Sequence, residues 1–343
     1  MLNLANGFAA RGLAVDLLLA QAEGPYLSEV RADIRVLDLS ASRVLESLGE
    51  LVRYYRREKP TALLSALDHA NVVALWARRL AGSSAKIAVT THTVLSISSG
   101  RAALRRDRLL QRLAARCYPW ATSIIAVSQG VAEDLSQVTG IPRHTIHVIY
   151  NPIITHELKA QLEEPLDDSW FENGEPPVIL SASRLESSKD LRTLLLAIAK
   201  VRETLQARLV ILGQGPERTG LEALANRLGL SEDVSLPGFV RNPYRYMKNA
   251  AVYVQSSKSE GLPTVLIEAL YCGATIVATD CPGGTREILA GGRYGSLVPI
   301  GDSESLARAI VKALSSPSQP PPKDSWQAFE LDSVLDQYLE LLL

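Results

Sequence analysis

Almost from end to end, the chain alternates between apolar runs of strand length and stretches with helical spacing. A short continuous apolar run fits a strand buried on both faces, as when helices cover both sides of a parallel sheet. In the first half the runs are 13–20, 33–39, 61–66, 86–90, 123–127 and 146–150. Helical patterns lie between them at 43–59, 70–80 and 101–116. A polar, acidic, proline-containing stretch follows at 155–177 and reads as a linker. The alternation then restarts, with strands at 178–182, 208–212, 234–236, 252–255, 275–278 and 296–298. Helices fit 191–204, 216–228, 244–250, 263–271, 285–289 and 303–314. The proline-rich 315–323 reads as a crossing segment, and 326–343 regains helical spacing. The expected class is α/β: two doubly wound, Rossmann-like domains facing across a cleft, at 1–154 and 178–322. The last helix, within 323–343, is expected to pack back on the first domain.

Composition narrows the class. At roughly 150 residues per domain, 343 residues make about two domains. With 47% apolar and 21% charged residues, the chain is neither disordered, collagen-like nor coiled coil. No uncharged apolar run reaches the roughly 18 residues of a membrane span. Arg11 and Asp16 interrupt any signal-peptide core near the start. Cys117, Cys272 and Cys281 form no CxxC pair, so a reducing, cytoplasmic compartment is expected. A net charge of -1 argues against nucleic acid as a partner.

The familiar phosphate loops fail when checked. Gly213-Gln-Gly215-Pro-Glu-Arg218 lacks the third glycine of a dinucleotide fingerprint, and neither GxxxxGK[ST] nor GxSxG occurs. His144 and His147 are the only close histidine pair, with no further ligand at metal spacing, so no metal is expected. Two segments stand out. In Ser256-Ser-Lys-Ser-Glu260-Gly-Leu-Pro-Thr-Val-Leu-Ile-Glu268, a helix is predicted to begin at Pro263, with Glu260 in the loop before it. Amides at 261–265 and the helix dipole form an anion site, and a carboxylate beside it suits sugar hydroxyls. A cap for Glu260 and a solvated face for Glu268 are the plain alternatives. In Ser181-Ala-Ser-Arg184-Leu-Glu-Ser-Ser-Lys189-Asp, two cations follow a strand at the edge where open sheets bind ligands. They suit a diphosphate, Arg184 as a planar fork and Lys189 as a point charge. An ordinary exposed loop is the alternative.

The ordered series SxSRLxxxKD, GxGPE (213–217), LPGF (236–239), ExxxxxxxE (260–268) and DCPGGTREI (280–288) resembles the family 4 glycosyltransferases, retaining enzymes of the GT-B fold. Thr91-His92-Thr93, Ala126-Val-Ser-Gln-Gly130 and Tyr150-Asn-Pro152 are similar to that family's N-terminal domain. The resemblance implies a nucleotide diphosphate sugar donor, expected to be UDP-linked, and a glycan or lipid-linked acceptor. It implies that Arg184 and Lys189 grip the donor diphosphate and that Glu260 contacts the donor sugar. Gly213, Gly261, Leu262, Pro263 and Thr264 would line the donor site, Glu268 would meet the ribose, and Phe239 and Val240 the base. His92 would stand near the donor sugar, or else be an ordinary histidine at a strand end. No metal or other cofactor is implied, consistent with the absence of a DxD motif. Glu260 and Glu268 are not read as a glycosidase pair. A nucleotide-sugar-binding protein without turnover and a UDP-sugar epimerase are the rival readings.

Arg101, Arg105, Arg108, Arg112 and Arg116 form one stripe on a helical wheel. A basic amphipathic helix fits an anionic membrane surface and a peripheral place on the inner face of the cell membrane. A solvated face is the alternative. One departure from the family pattern concerns the start: a strand and a Gly-rich loop usually precede the helix that begins here at Leu2. A misplaced start, a truncation, and a variant completed by another chain all fit that departure.

Overall fold

The structure is a computed structural model that describes residues 1–97, 101–172, 175–316 and 320–343, the side chains of residues 25 and 101–107 excepted. The chain divides into two compact units, Met1–Pro152 with Phe329–Leu343, and Ile153–Ala328.

In the first unit, β1 (Asp16–Leu19) pairs in parallel with β2 (Arg35–Asp38). Four further parallel strands, β3 (Ala62–Ala66), β4 (Lys86–Thr91), β5 (Ser123–Ala126) and β6 (Ile146–Val148), form a second sheet in chain order. Helices α1 (Leu2–Ala10), α2 (Leu48–Glu58), α3 (Asp68–Ala81), α4 (Arg101–Cys117) and α5 (Gln129–Thr139) connect them. Local chemistry sets their ends: the Ser128 hydroxyl accepts from the Val131 amide at the start of α5, and left-handed Gly82 ends α3. The final helix, α13 (Leu331–Leu342), packs in this unit, where Val334, Leu335 and Tyr338 bury against Leu4, Phe8, Ala88 and Ile125. On the other face Leu51, Tyr55, Val73 and Ala77 make a second core.

The parallel strands of this half form two sheets. Leu18 and Leu63 share one core and Val15 and Leu64 the other, so both sheets use the same helical layers. Yet β1 and β3 are not paired. Side-chain burial is continuous across this break; the hydrogen-bond ladder is not.

The second unit begins with the segment expected as a linker. There α6 (His156–Gln161) and the turn at Ser169–Phe171 pack with α9 (Tyr244–Asn249). The Asn242 amide donates to the Gln161 carbonyl and the Glu164 carboxylate, and the Phe171 and Tyr246 rings stand edge to face at 5.5 Å. Buried Leu158, with Phe171 against Tyr246, gives this otherwise acidic stretch something to anchor.

Six parallel strands follow: β7 (Val178–Ala182), β8 (Arg208–Leu212), β9 (Val234–Gly238), β10 (Val252–Gln255), β11 (Ile276–Thr279) and β12 (Ser296–Val298). Their order in the sheet is β9-β8-β7-β10-β11-β12. With β7 as the first strand this is the order 3-2-1-4-5-6 of a Rossmann unit. Helices α7 (Leu191–Arg202), α8 (Arg218–Arg227), α10 (Thr264–Tyr271), α11 (Thr285–Ile288) and α12 (Ser303–Ser315) complete the crossovers. Ile179, Leu209, Ile211, Val252, Val254 and Val277 lie fully or almost fully buried against α7 and α12, as continuous apolar runs require.

Candidate active site

In a sheet of this order the chain turns to opposite sides after the first and fourth strands, leaving a crevice at their carboxyl ends. Here that switch point lies between β7 and β10, which pair directly. The loop after β7 carries Arg184 and Lys189, and the loop after β10 carries Glu260. The two loops are fastened together. The Lys258 amide donates to the Ser188 carbonyl (2.8 Å), and the Ser256 hydroxyl to the Lys189 carbonyl (2.8 Å). Lys189 Nζ donates to Glu260 Oε1 at 2.6 Å, and the Ser257 hydroxyl donates to the same oxygen at 2.6 Å. With side-chain exposures of 19% and 12%, the ion pair is largely withdrawn from water. Arg184 differs: its side chain is 77% exposed and, among the described residues, pairs with Glu186 at 2.8 Å. One cation is thus fixed and the other held out toward solvent.

Close backbone contacts hold the neighbouring loops. At Gly213, φ is +125° and an added Cβ would lie 1.9 Å from the Ser183 carbonyl oxygen. At Gly283, φ is +108° and an added Cβ would lie 1.5 Å from the Glu260 carbonyl oxygen. Only glycine allows either approach. The Glu260 amide donates to the Pro282 carbonyl (3.1 Å), and Glu260 and Gly283 form a parallel bridge. Gly213 therefore acts by letting the β7 and β8 loops touch. Gly283 and Ser257, which spacing did not single out, set the main chain and carboxylate of Glu260. The paired glycines of DCPGG were the one available signal.

Helix α10 starts at Thr264, with extended Pro263 as its cap, one residue later than predicted. Leu262 and Pro263 are buried, Gly261 is half-buried, and the first amides of α10 have no acceptor within the helix. Glu268, one turn on, is neither a solvated residue nor an ordinary carboxylate: burial pushes its carboxyl up to about 7. Phe239, 65% exposed, and half-buried Val240 follow β9, three strands across the sheet from β10. The Ser183 hydroxyl is buried without a hydrogen-bond partner among the described residues. Burial pushes the Cys281 thiol up to about 11, which keeps it protonated beside Thr285.

His92 belongs to the first unit, at the end of β4, half-buried, with Nε2 2.9 Å from Thr90 Oγ1. Arg108, Arg112 and Arg116 are exposed on α4, while the side chains of Arg101 and Arg105 lie outside the described residues. No described helix is long and apolar enough to cross a membrane. Among the described residues no group of three or more His, Cys, Asp or Glu is placed to hold a metal ion.

A six-stranded parallel sheet in Rossmann order, with an Arg/Lys-bearing loop and a carboxylate loop meeting at its switch point, places the second unit in the doubly wound α/β class. Residues 1–157 match the family described as Glycosyltransferase Family 4, and residues 163–326 that described as Glycosyl transferases group 1. The chain belongs to the family 4 glycosyltransferases and has their GT-B fold. It is 32% identical over 251 residues to an N-acetylgalactosamine-N,N'-diacetylbacillosaminyl-diphospho-undecaprenol 4-alpha-N-acetylgalactosaminyltransferase of Campylobacter jejuni, covering 72% of this chain and 65% of that one. It is 27% identical over 205 residues to the lipopolysaccharide 1,6-galactosyltransferase of Salmonella typhimurium, covering 59% and 55%. The match thus spans less than two thirds of the length of these relatives. Among solved structures, HepE of Anabaena in complex with UDP and glucose superposes with a TM-score of 0.81 at 21% identity, over 99% of this chain and 94% of that one. A sucrose-phosphate synthase of Thermosynechococcus elongatus superposes at 0.82 with 23% identity, over 98% and 90%.

Proposed function

We propose that the protein is a retaining glycosyltransferase that moves a hexose or N-acetylhexosamine from a UDP-sugar to a glycan or lipid-linked acceptor. The observation that carries the reading is the Lys189–Glu260 pair at the β7/β10 switch point, a fixed cation joined to a carboxylate in a mostly water-excluded loop pair. In this reading Lys189 and solvent-facing Arg184 neutralise the diphosphate as the anomeric bond breaks. Charge placed in advance stabilises the departing group without reorganisation. Glu260, joined to Lys189 and Ser257, accepts from donor-sugar hydroxyls. Thr264 and the first amides of α10 add partial positive charge at the phosphate side. Glu268 hydrogen-bonds the ribose, and Phe239 with Val240 flanks the base.

The acceptor hydroxyl attacks from the face the leaving group departs, and the donor phosphate takes its proton. With two cations at the diphosphate, we expect transfer to be independent of a divalent metal. The Campylobacter relative acts on an undecaprenyl-diphosphate glycan and the Salmonella relative on lipopolysaccharide, which supports a lipid-linked acceptor here. The exposed arginines of α4 suit an anionic membrane surface on which such an acceptor lies.

The test is a panel of UDP- and GDP-sugars incubated with and without polyprenyl-diphosphate-linked acceptor, in the presence of a chelator. Sugar transfer with net retention, and slow hydrolysis of the same donor alone, is expected. Interconversion of UDP-sugars without acceptor would replace this reading with an epimerase. UDP binding without hydrolysis or transfer would make the chain a binding protein.

A further inference from the structure

Asp190 follows Lys189 in the β7 loop and has φ of +48° and ψ of +40°, a left-handed conformation that, among residues with a side chain, favours Asn and Asp. The turn there parts two consecutive side chains. Lys189 reaches Glu260, whereas the Asp190 carboxylate lies buried and accepts from the Thr193 hydroxyl in the first turn of α7 (2.8 Å). Among the described residues this carboxylate accepts from no helix amide, so it does not serve as a cap of α7. The Asp190 carbonyl takes the Thr193 amide instead (3.0 Å).

The other carboxylate oxygen of Asp190 faces Lys258, whose Nζ stands 3.7 Å from Oδ1. Lys258 lies on the β10 loop, and its amide is the one that donates to the Ser188 carbonyl. The Asp190 side chain is 9% exposed and that of Lys258 53%, so the anion is withdrawn from water and the cation is not. Two charge pairs of opposite sense therefore cross one seam. The β7 loop gives a cation to Glu260 and an anion to Lys258. The other pairing of the same four groups sets Lys189 against Lys258 and Asp190 against Glu260, like against like. A penalty on the wrong pairing is how charge fixes register at an interface. The buried carboxylate tightens the constraint, because losing its cation leaves an anion uncompensated out of water.

We propose that Asp190 and Lys258 are positioning residues that set the register of the β7 and β10 loops and so hold Lys189 against Glu260, without themselves touching the donor. That the held lysine serves a diphosphate rests on the glycosyltransferase reading above; the register does not. Glycine at 190 would supply the left-handed turn without the charge, so turn and charge are separable.

Hydrogen exchange at the amide of position 258, followed in the full chain beside steady-state transfer, tests this. K258M and D190N should each speed that exchange about tenfold as the loops part, and K258R should restore the wild-type rate. D190G should resemble D190N, since both keep the turn and lose the charge. K258M, D190N and D190G should lower kcat about tenfold with donor KM changed less than about threefold, because a displaced Lys189 fails chiefly where charge builds in the transition state. Wild-type exchange in K258M overturns the proposal, as does exchange in K258R as fast as in K258M. Fast exchange with wild-type kcat overturns the functional half. So does an effect confined to KM, which would make Lys258 a donor-binding residue. A wild type that neither transfers nor hydrolyses any donor would instead refute the glycosyltransferase reading, while exchange, read without turnover, still decides the register.

Discussion

Lys189 Nζ meets Glu260 Oε1 at 2.6 Å although 71 residues separate them, and both side chains are mostly removed from water. Each charge is tolerated because the other is there. A lone desolvated ion costs several kcal/mol. The pair therefore links the integrity of two loops to the chemistry proposed for them.

Replacing Lys189 by Ala leaves Glu260 with the Ser257 hydroxyl as its remaining side-chain partner among the described residues. We expect a loss of about 1–3 kcal/mol in stability and a fall in transfer of about a hundredfold or more. Denaturant titration and steady-state rates check the two effects. A variant with full activity would detach Lys189 from catalysis.

Gly283 and Gly273 both have positive φ, but only Gly283 faces a wall. At Gly273, with φ of +83°, an added Cβ meets nothing within 4 Å, whereas at Gly283 it meets the Glu260 carbonyl oxygen at 1.5 Å. G273A should cost about 1 kcal/mol from backbone strain. G283A should cost more than about 3 kcal/mol or displace the Glu260 loop. Equal melting temperatures for the two variants would contradict the contact.

Glu268 makes stability depend on pH. Its folded carboxyl is raised to about 7 against 4.5 for an ordinary one. The folded state therefore binds more protons than the unfolded state between those values. Its stability contribution is complete below about pH 4.5 and is lost as pH rises through about 7. E268Q, neutral throughout, should lack this slope. The gap between variant and wild type should widen by about 1–3 kcal/mol from pH 4.5 to 8. Parallel stability curves would show that the carboxyl is not buried as described.

The arginine stripe makes its own prediction. Replacing Arg105, Arg108 and Arg112 by Glu should abolish sedimentation with vesicles of anionic lipid while the circular dichroism spectrum stays unchanged. Undiminished sedimentation would remove α4 from the membrane-facing role.

Much of the second unit was legible in the sequence because strands buried on both faces appear as unbroken apolar runs. Residues 178–182 and 208–212 coincide with β7 and β8. What periodicity does not encode is strand order, and only that order sets β10 beside β7 and brings Glu260 to Lys189. Glu268 was hard to place for a related reason: a glutamate at helical spacing looks solvated until its neighbours are known. The apolar runs alone do not show the break between β1 and β3, because such a run looks the same with or without a partner on one edge. The acidic stretch 155–177 looked like a linker by composition. Its few apolar side chains and the Asn242 amide hold it to the second unit.

In the proposed function, Lys189 and Arg184 hold a nucleotide diphosphate at the β7/β10 switch point. Calorimetric titration of UDP and of uridine into the wild type and into the Arg184→Ala, Lys189→Ala double variant tests it most directly. The wild type is expected to bind UDP at least about tenfold more tightly than uridine, or about 1.4 kcal/mol, and the double variant to lose this preference. UDP binding that is absent from the wild type, or unchanged in the double variant, would contradict it.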